Sequence, residues 1–103
     1  MKLISSMNGD GWLRVGTAAP TPARYVIGVW RDPNGIIFGR GHISGAVDTL
    51  CRAALQGGPI PLTLGNGRAI TVIVTERGVG NDWGEIYVPD PALAEAAQAS
   101  ATP

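Results

Sequence analysis

The strongest hydrophobic pattern in the chain is a run of aromatic and β-branched residues at positions 24–31, which is typical of a β-strand. The run ends at Asp32-Pro33-Asn34-Gly35, where proline presets φ at the second position of a turn and glycine accepts a positive φ at the fourth. This turn chemistry predicts a hairpin with a three-residue loop and a glycine bulge. The register that follows pairs Trp30 with Phe38, in an aromatic contact, and Arg31 with Ile37.

A second hairpin is predicted at positions 60–75. A two-residue Asn-Gly turn would place Leu62 opposite Thr71 and mix polar with apolar residues on each face. A three-residue loop instead places Leu62 opposite Ile70, which gives one consistently apolar face. Because register follows the buried face, we predict the three-residue loop. The strands of this hairpin are Ile60–Leu64 and Arg68–Thr75, with Ile60 opposite Val72.

The spacing of apolar residues predicts one helix in the body of the chain, Ala46–Gln56. Ser44 is a candidate N-cap, and Asp48 lies in the first turn, where a negative charge is favourable. Gly57-Gly58-Pro59 is a stop signal with its residues in the expected order. The expected buried stripe follows the helical spacing and consists of Val47, Leu50, Cys51, Ala54 and Leu55.

The start of the chain has a weaker pattern. Asn8-Gly9-Asp10-Gly11 is a strong turn signal, and it predicts two short strands, Lys2–Ser6 and Trp12–Thr17, on either side. Segment 18–23 contains two prolines, which cannot donate hydrogen bonds to a sheet ladder. We therefore expect this segment to be an extended connector.

The end of the chain combines a loop at 78–82, a last strand at Trp83–Val88 and an alanine-rich tail at 91–103. The tail is too short to hold a helix alone in water, so we expect a frayed end rather than a docked helix. The whole pattern predicts one α+β domain over residues 1–90. Its core is an antiparallel curled sheet or partial barrel of about six to seven short strands, with the helix at 46–56 packed on it.

Composition narrows the class of function. The chain has 103 residues, 45% of them hydrophobic, with eight basic and eight acidic side chains and a net charge of zero. Nucleic-acid binding draws most of its affinity from phosphate neutralisation, so a neutral chain is a poor candidate for it. The single cysteine, Cys51, permits no internal disulfide, and no segment has the length of a membrane span or of a signal peptide's apolar region. We therefore expect a cytoplasmic protein or a virion component, with no membrane contact.

One glycine-rich segment, between Phe38 and Ala46, is a candidate anion site. In a loop that enters the helix, its free backbone amides would face an anion or a nucleotide phosphate, and the Arg40 and Ser44 side chains would add donors. The glycine spacing matches neither the dinucleotide fingerprint nor the P-loop, so an ordinary strand end is the competing interpretation. The candidate anion-binding residues are Gly39, Arg40, Gly41, Ser44 and Gly45.

Side chains suited to catalysis are scarce. His42 and Cys51 would have to lie within hydrogen-bond reach to form a nucleophile pair, but Cys51 falls on the apolar stripe of the helix, where cysteine is usually a small buried residue. A zinc site needs about three or four protein ligands, and one histidine with one cysteine falls short. The carboxylates show no arrangement that indicates an acid pair across a cleft. We expect no enzyme activity, no metal and no cofactor.

The aromatic residues are the strongest functional signal. If Ile86 and Val88 face the core, then Trp83, Glu85 and Tyr87 share the opposite face of the last strand. Such outward aromatics are covered either by the protein's own helix or tail or by another chain, and Trp and Tyr are enriched at interface hot spots. The predicted function is non-enzymatic protein–protein contact or a structural role, through self-association or a protein partner. A small subunit of this kind suits an oligomeric assembly, including a phage or prophage particle, although no motif identifies a family.

Overall fold

Six antiparallel strands close into a barrel within the part of the chain that the structure, a computed structural model, describes: residues 1–75, 82–89 and 93. Neighbours around the barrel follow the order β1-β2-β3-β6-β5-β4, and β1 returns to β4 through the pairs Trp12–Thr63 and Leu13–Leu62. The predicted antiparallel α+β architecture is confirmed, with a closed barrel in place of a partial one. The elements are β1 (Lys2–Leu13), β2 (Thr21–Arg31), β3 (Ile37–Gly45), α1 (Val47–Gln56), β4 (Ile60–Thr63), β5 (Ala69–Val74) and β6 (Trp83–Val88).

Both predicted hairpin registers are confirmed. Trp30 stands opposite Phe38 across β2 and β3, as the three-residue loop requires. Leu62 stands opposite Ile70 across β4 and β5, which keeps one face of this hairpin apolar and buried. The remaining predicted pairs, Arg31 with Ile37 and Ile60 with Val72, are also present.

The turns of these hairpins are built in the same way. Each has a glycine with positive φ at the bulge position, 85° at Gly35 and 86° at Gly67, a conformation that side-chain-bearing residues rarely adopt. Each also has a side chain that satisfies its own loop. The Asp32 carboxylate accepts two backbone N–H groups at 2.8 and 2.9 Å, and the Asn66 side-chain oxygen accepts one at 3.0 Å.

The predicted turn at Asn8–Gly11 is wrong, because β1 runs through this segment as one strand of 12 residues. Its glycines make room for the ring of Tyr25 on β2. A Cβ atom on Gly9 would lie 2.9 Å from the Tyr25 hydroxyl oxygen, and one on Gly11 would lie 3.4 Å from the Tyr25 ring. The buried Tyr25 hydroxyl accepts the backbone N–H of Gly65 at 3.2 Å. These glycines therefore serve packing rather than chain reversal.

The predicted connector at 18–23 is also wrong in its second half, because β2 begins at Thr21 and includes Pro22. Pro22 pairs with Trp12 on β1, whereas pairing with β3 begins only at Ala23. Pro22 thus lies beyond the end of β3. On the side that faces β3, the sheet therefore needs no N–H donor from this residue.

The helix begins and ends close to the predicted positions, but its cap differs. Ala46 occupies the N-cap position without a side-chain hydrogen bond, whereas Ser44, the predicted cap, lies in β3. Asp48 does lie in the first turn, and Gly57 is the left-handed C-cap at φ 70°, as the stop signal predicted.

The buried face of α1 is rotated from the predicted stripe. Val47 and Leu55, the first and last residues of that stripe along the chain, are exposed. The buried residues are Thr49, Leu50, Ala53 and Ala54. Most of these side chains are small, so the helix lies close to the barrel, and the Thr21 hydroxyl donates to the Thr49 oxygen at 3.3 Å.

Leu93 is the described residue of the alanine-rich tail, and its side chain is fully buried. It packs beside Gly39, where an added Cβ atom would lie 2.8 Å from the Leu93 Cδ2 atom and 2.9 Å from the Val88 Cβ atom. The tail therefore contributes Leu93 to the core. The other residues of the predicted frayed tail, and the predicted loop at 78–82 apart from Asp82, lie outside the described residues. Among the residues that are described, no helix has the length and hydrophobicity to cross a bilayer.

Candidate functional site

The outer surface of three neighbouring strands forms a continuous face, which we name the β2–β3–β6 face. Side chains alternate between the interior and the exterior along each strand, so the register determines which residues meet outside. β3 lies between β2 and β6 and pairs with both. The outward rows are Arg24–Ser44–Trp83, Val26–His42–Glu85 and Gly28–Arg40–Tyr87, with Trp30 and Phe38 at the end of the face.

A groove of about 580 Å³ crosses this face. Aromatic side chains form much of its wall, and the rings of Phe38 and Tyr87 lie 6.1 Å apart at an angle of 40°. Next to the groove, the His42 ring meets the Trp83 ring edge-on at 5.8 Å. The groove residues used below are Trp30, Phe38, Arg40, His42, Glu85 and Tyr87.

The predicted orientation of the last strand is confirmed. Ile86 and Val88 are buried in the core, whereas Trp83 and Tyr87 are 43% and 41% exposed on the outer side. Glu85 lies between them on the same side and is half-buried. The structure therefore brings the three predicted interface residues together on an accessible surface, and within the described residues no helix or tail residue covers them.

Several residues that extend this surface were not predicted from the sequence. Val26 on β2 is 52% exposed beside His42, and Leu3 on β1 is 50% exposed opposite Trp30. Trp30 and Phe38 were predicted to pair, but their place at the groove follows from β3 pairing with β6, a contact that no local pattern indicates. The result is a face on which several exposed apolar side chains surround polar ones, and clusters of exposed apolar side chains mark interaction sites.

Two opposite charges lie in the middle of the face. The Arg40 side chain is exposed, and no residue in the described ranges forms an ion pair with it. Glu85 stands on the neighbouring strand, one row away from the Arg40–Tyr87 pair. At the edge of the face, Arg24 donates to the Asp10 carboxylate at 3.1 Å, but both side chains are exposed and such pairs add little stability.

The candidate anion segment is a strand and not a loop. Gly39, Arg40, Gly41 and Ser44 lie in β3 between β2 and β6, and Gly45 pairs with β2, so their backbone groups belong to the sheet ladders. The free amides on which the anion hypothesis depended are therefore not available there. That hypothesis stays a prediction in which the Arg40 and Ser44 side chains are the remaining donors.

The structure gives no geometry for a nucleophile pair or a metal site in the ranges it covers. His42 lies on the outer face, whereas Cys51 is a half-buried thiol on α1. No group of three or more His, Cys, Asp or Glu side chains among the described residues is arranged to hold a metal ion. The Thr75 hydroxyl oxygen, at the groove, is buried without a hydrogen-bond partner in this same part of the chain.

Comparison of the chain with known protein families, with curated proteins and with solved structures found no match. The function therefore has to be argued from the surface itself.

Proposed function

We propose that this chain is a non-enzymatic protein-interaction domain and that its contact surface is the β2–β3–β6 face. The observation that carries the proposal is the group of accessible aromatic side chains around one groove, with Trp83 and Tyr87 more than two-fifths exposed. Burying these side chains against a partner would remove apolar area from water, which is the main driving force of association.

The composition of the face favours a protein partner. Interface centres are enriched in Trp, Tyr, Phe and Arg, and this face presents all four around the groove. Among the described residues the formal charges of the face and its edge balance, with Arg24 and Arg40 against Glu85 and the neighbouring Asp10 of β1. A nucleic-acid surface would need an excess of basic side chains, so the charge balance supports protein over nucleic acid.

A closed barrel offers this surface as a rigid platform. Rigid strands hold the aromatic side chains in place before binding, so little conformational entropy is lost on association. Such a domain suits a structural subunit in an oligomeric assembly, and a phage or prophage particle is one such setting.

The proposal is tested with a double variant, Trp83→Ala with Tyr87→Ala. The tagged chain is purified gently from its own cells, and its complexes are measured by native mass spectrometry. Because hot-spot residues contribute about 2 kcal/mol or more each, we expect at least tenfold less complex with the double variant.

The matched control is Leu55→Ala, which removes an apolar side chain that is 72% exposed on α1, away from the face. Circular dichroism and thermal unfolding establish that each variant folds. A folded double variant that forms the same complexes as the wild type would show that the face is not the contact surface.

A further inference from the structure

We infer that the partner of the β2–β3–β6 face is the same face of a second copy of this chain, in a two-fold symmetric dimer. The inference rests on the proposed function, because it names the partner of that surface. Two features carry it: the placement of one positive and one negative side chain on adjacent strands, and the exposed apolar side chains around them.

The register places Arg40 and Glu85 on one diagonal of the β3–β6 ladder. Arg40 pairs with Tyr87 and His42 pairs with Glu85, so the second diagonal runs from His42 to Tyr87. When two identical faces meet around a two-fold axis in their plane, each position contacts its mirror position across that axis. An axis along the His42–Tyr87 diagonal therefore brings Arg40 of each copy over Glu85 of the other.

The charges make this face complementary to itself. No described residue forms an ion pair with the Arg40 guanidinium. Burying this charge in an interface therefore requires an acidic side chain from the partner, because an unpaired buried charge is costly. Glu85 of the second copy supplies that acid, and the symmetry repeats the contact, so that one dimer has two equivalent ion pairs. The chain has no net charge, and two copies therefore approach without overall repulsion.

The apolar side chains supply the attraction, while the charges set the orientation. Tyr87 lies on the proposed axis and packs against Tyr87 of the other copy. Val26, exposed on the neighbouring strand, borders the charges and is covered in the same contact. The interface thus combines exposed apolar side chains with charges that set its orientation.

Charge reversal tests this arrangement in the purified chain. Sedimentation velocity across a wide concentration range measures the dimer of the wild type, of Arg40→Glu and of Glu85→Arg. Each single reversal places like charges at both contacts, so we expect a dimer dissociation constant at least about tenfold higher.

An equimolar mixture of the two reversed chains is the decisive sample. Arg40→Glu on one copy then meets Glu85→Arg on the other, and the native Arg40 meets the native Glu85, so both contacts again join opposite charges. We expect the mixture to regain the wild-type dissociation constant. Arg52→Glu, a reversal at an exposed position on α1, is the control and leaves the dimer unchanged.

Three results overturn the inference: a monomeric wild type at every concentration, a dimer that survives either reversal, and a mixture that stays monomeric. None of them decides the proposed function. A monomeric wild type that still binds another protein through Trp83 and Tyr87 rejects the dimer and retains the contact surface. Loss of the inference and loss of the proposed function are therefore separate outcomes.

Discussion

Tyr25 connects three parts of the barrel through a single buried ring. It belongs to β2, its ring lies against Gly9 and Gly11 of β1, and its hydroxyl accepts the N–H of Gly65 in the β4–β5 turn. Larger residues at the two glycine positions would displace the ring. The core can thus hold the large Tyr25 ring because the facing positions of β1, Gly9 and Gly11, carry no side chain.

Gly11→Ala tests this close approach. An added Cβ atom would collide with the backbone carbonyl oxygen of Thr63 at the β1–β4 closure and would also press on Tyr25. Backbone cannot move aside as a flexible side chain does, so we expect unfolding free energy to fall by about 3 kcal/mol or more. Urea denaturation measures the change.

The matched substitution is Gly58→Ala, because a Cβ atom at Gly58 has no neighbour within 4 Å. We expect its effect to stay below about 1 kcal/mol. Equal effects of the two substitutions would mean that the collision at Gly11 is relieved without cost.

The helix shows how a single element adapts to the surface beneath it. The sequence pattern placed Leu50 and Leu55 on the same buried stripe, but α1 buries Leu50 and leaves Leu55 72% exposed. The helix lies on the barrel through Thr49, Ala53 and Ala54, whose small side chains permit a close approach. The buried face of α1 is therefore the one whose small side chains let the helix approach the barrel closely, and not the one with the largest apolar side chains.

Leu50→Ala and Leu55→Ala form a matched pair of substitutions that tests the orientation of the helix. The first leaves a cavity between helix and barrel, and we expect it to lower the free energy of unfolding by about 2–5 kcal/mol. The second removes an exposed side chain and should cost less than about 0.5 kcal/mol. Denaturant titration of both variants compares them, and a Leu55→Ala cost equal to that of Leu50→Ala would contradict the observed helix orientation.

Local chemistry explains which elements were predictable. The registers of the two hairpins were predictable because their turns contain Asp32 with Gly35, and Asn66 with Gly67, and because one register gives the second hairpin a consistently apolar face. The glycines of β1 resemble a turn in the sequence, because their packing role depends on Tyr25, which is distant along the chain. Of the candidate interface, Trp83 and Tyr87 were identified from alternation within one strand. Val26 was not identified, although the β2–β3 pairing places it beside His42, and the groove was not identified because it requires the β3–β6 pairing.

The barrel as a whole is filled in part by the end of the chain. Leu93 is fully buried beside Gly39 and Val88, far along the chain from the first strands that surround the same core. The folded domain therefore depends on residues beyond β6. Leu93 is thus a core residue, although it is a single leucine in an alanine-rich segment.

Leu93→Ala measures that dependence. Because the side chain is fully buried, its truncation leaves a cavity, and we expect the midpoint of thermal unfolding to fall with a loss of about 2–5 kcal/mol. Leu55→Ala is again the exposed counterpart. If Leu93→Ala unfolds at the same temperature as that control, the leucine is not part of the core.

The closure of the barrel also has a kinetic consequence. β1 pairs with β2 along its whole length, but its ladder with β4 consists of two pairs among the described residues, at Trp12 and Leu13. The β1–β2–β3 meander forms from neighbouring segments, whereas closure must wait for a strand from the second half of the chain. We expect this short seam at Trp12 to open more readily than the longer ladders of the barrel. Amide protons there should exchange with solvent through brief openings of the cylinder that leave the β2–β3 ladder intact.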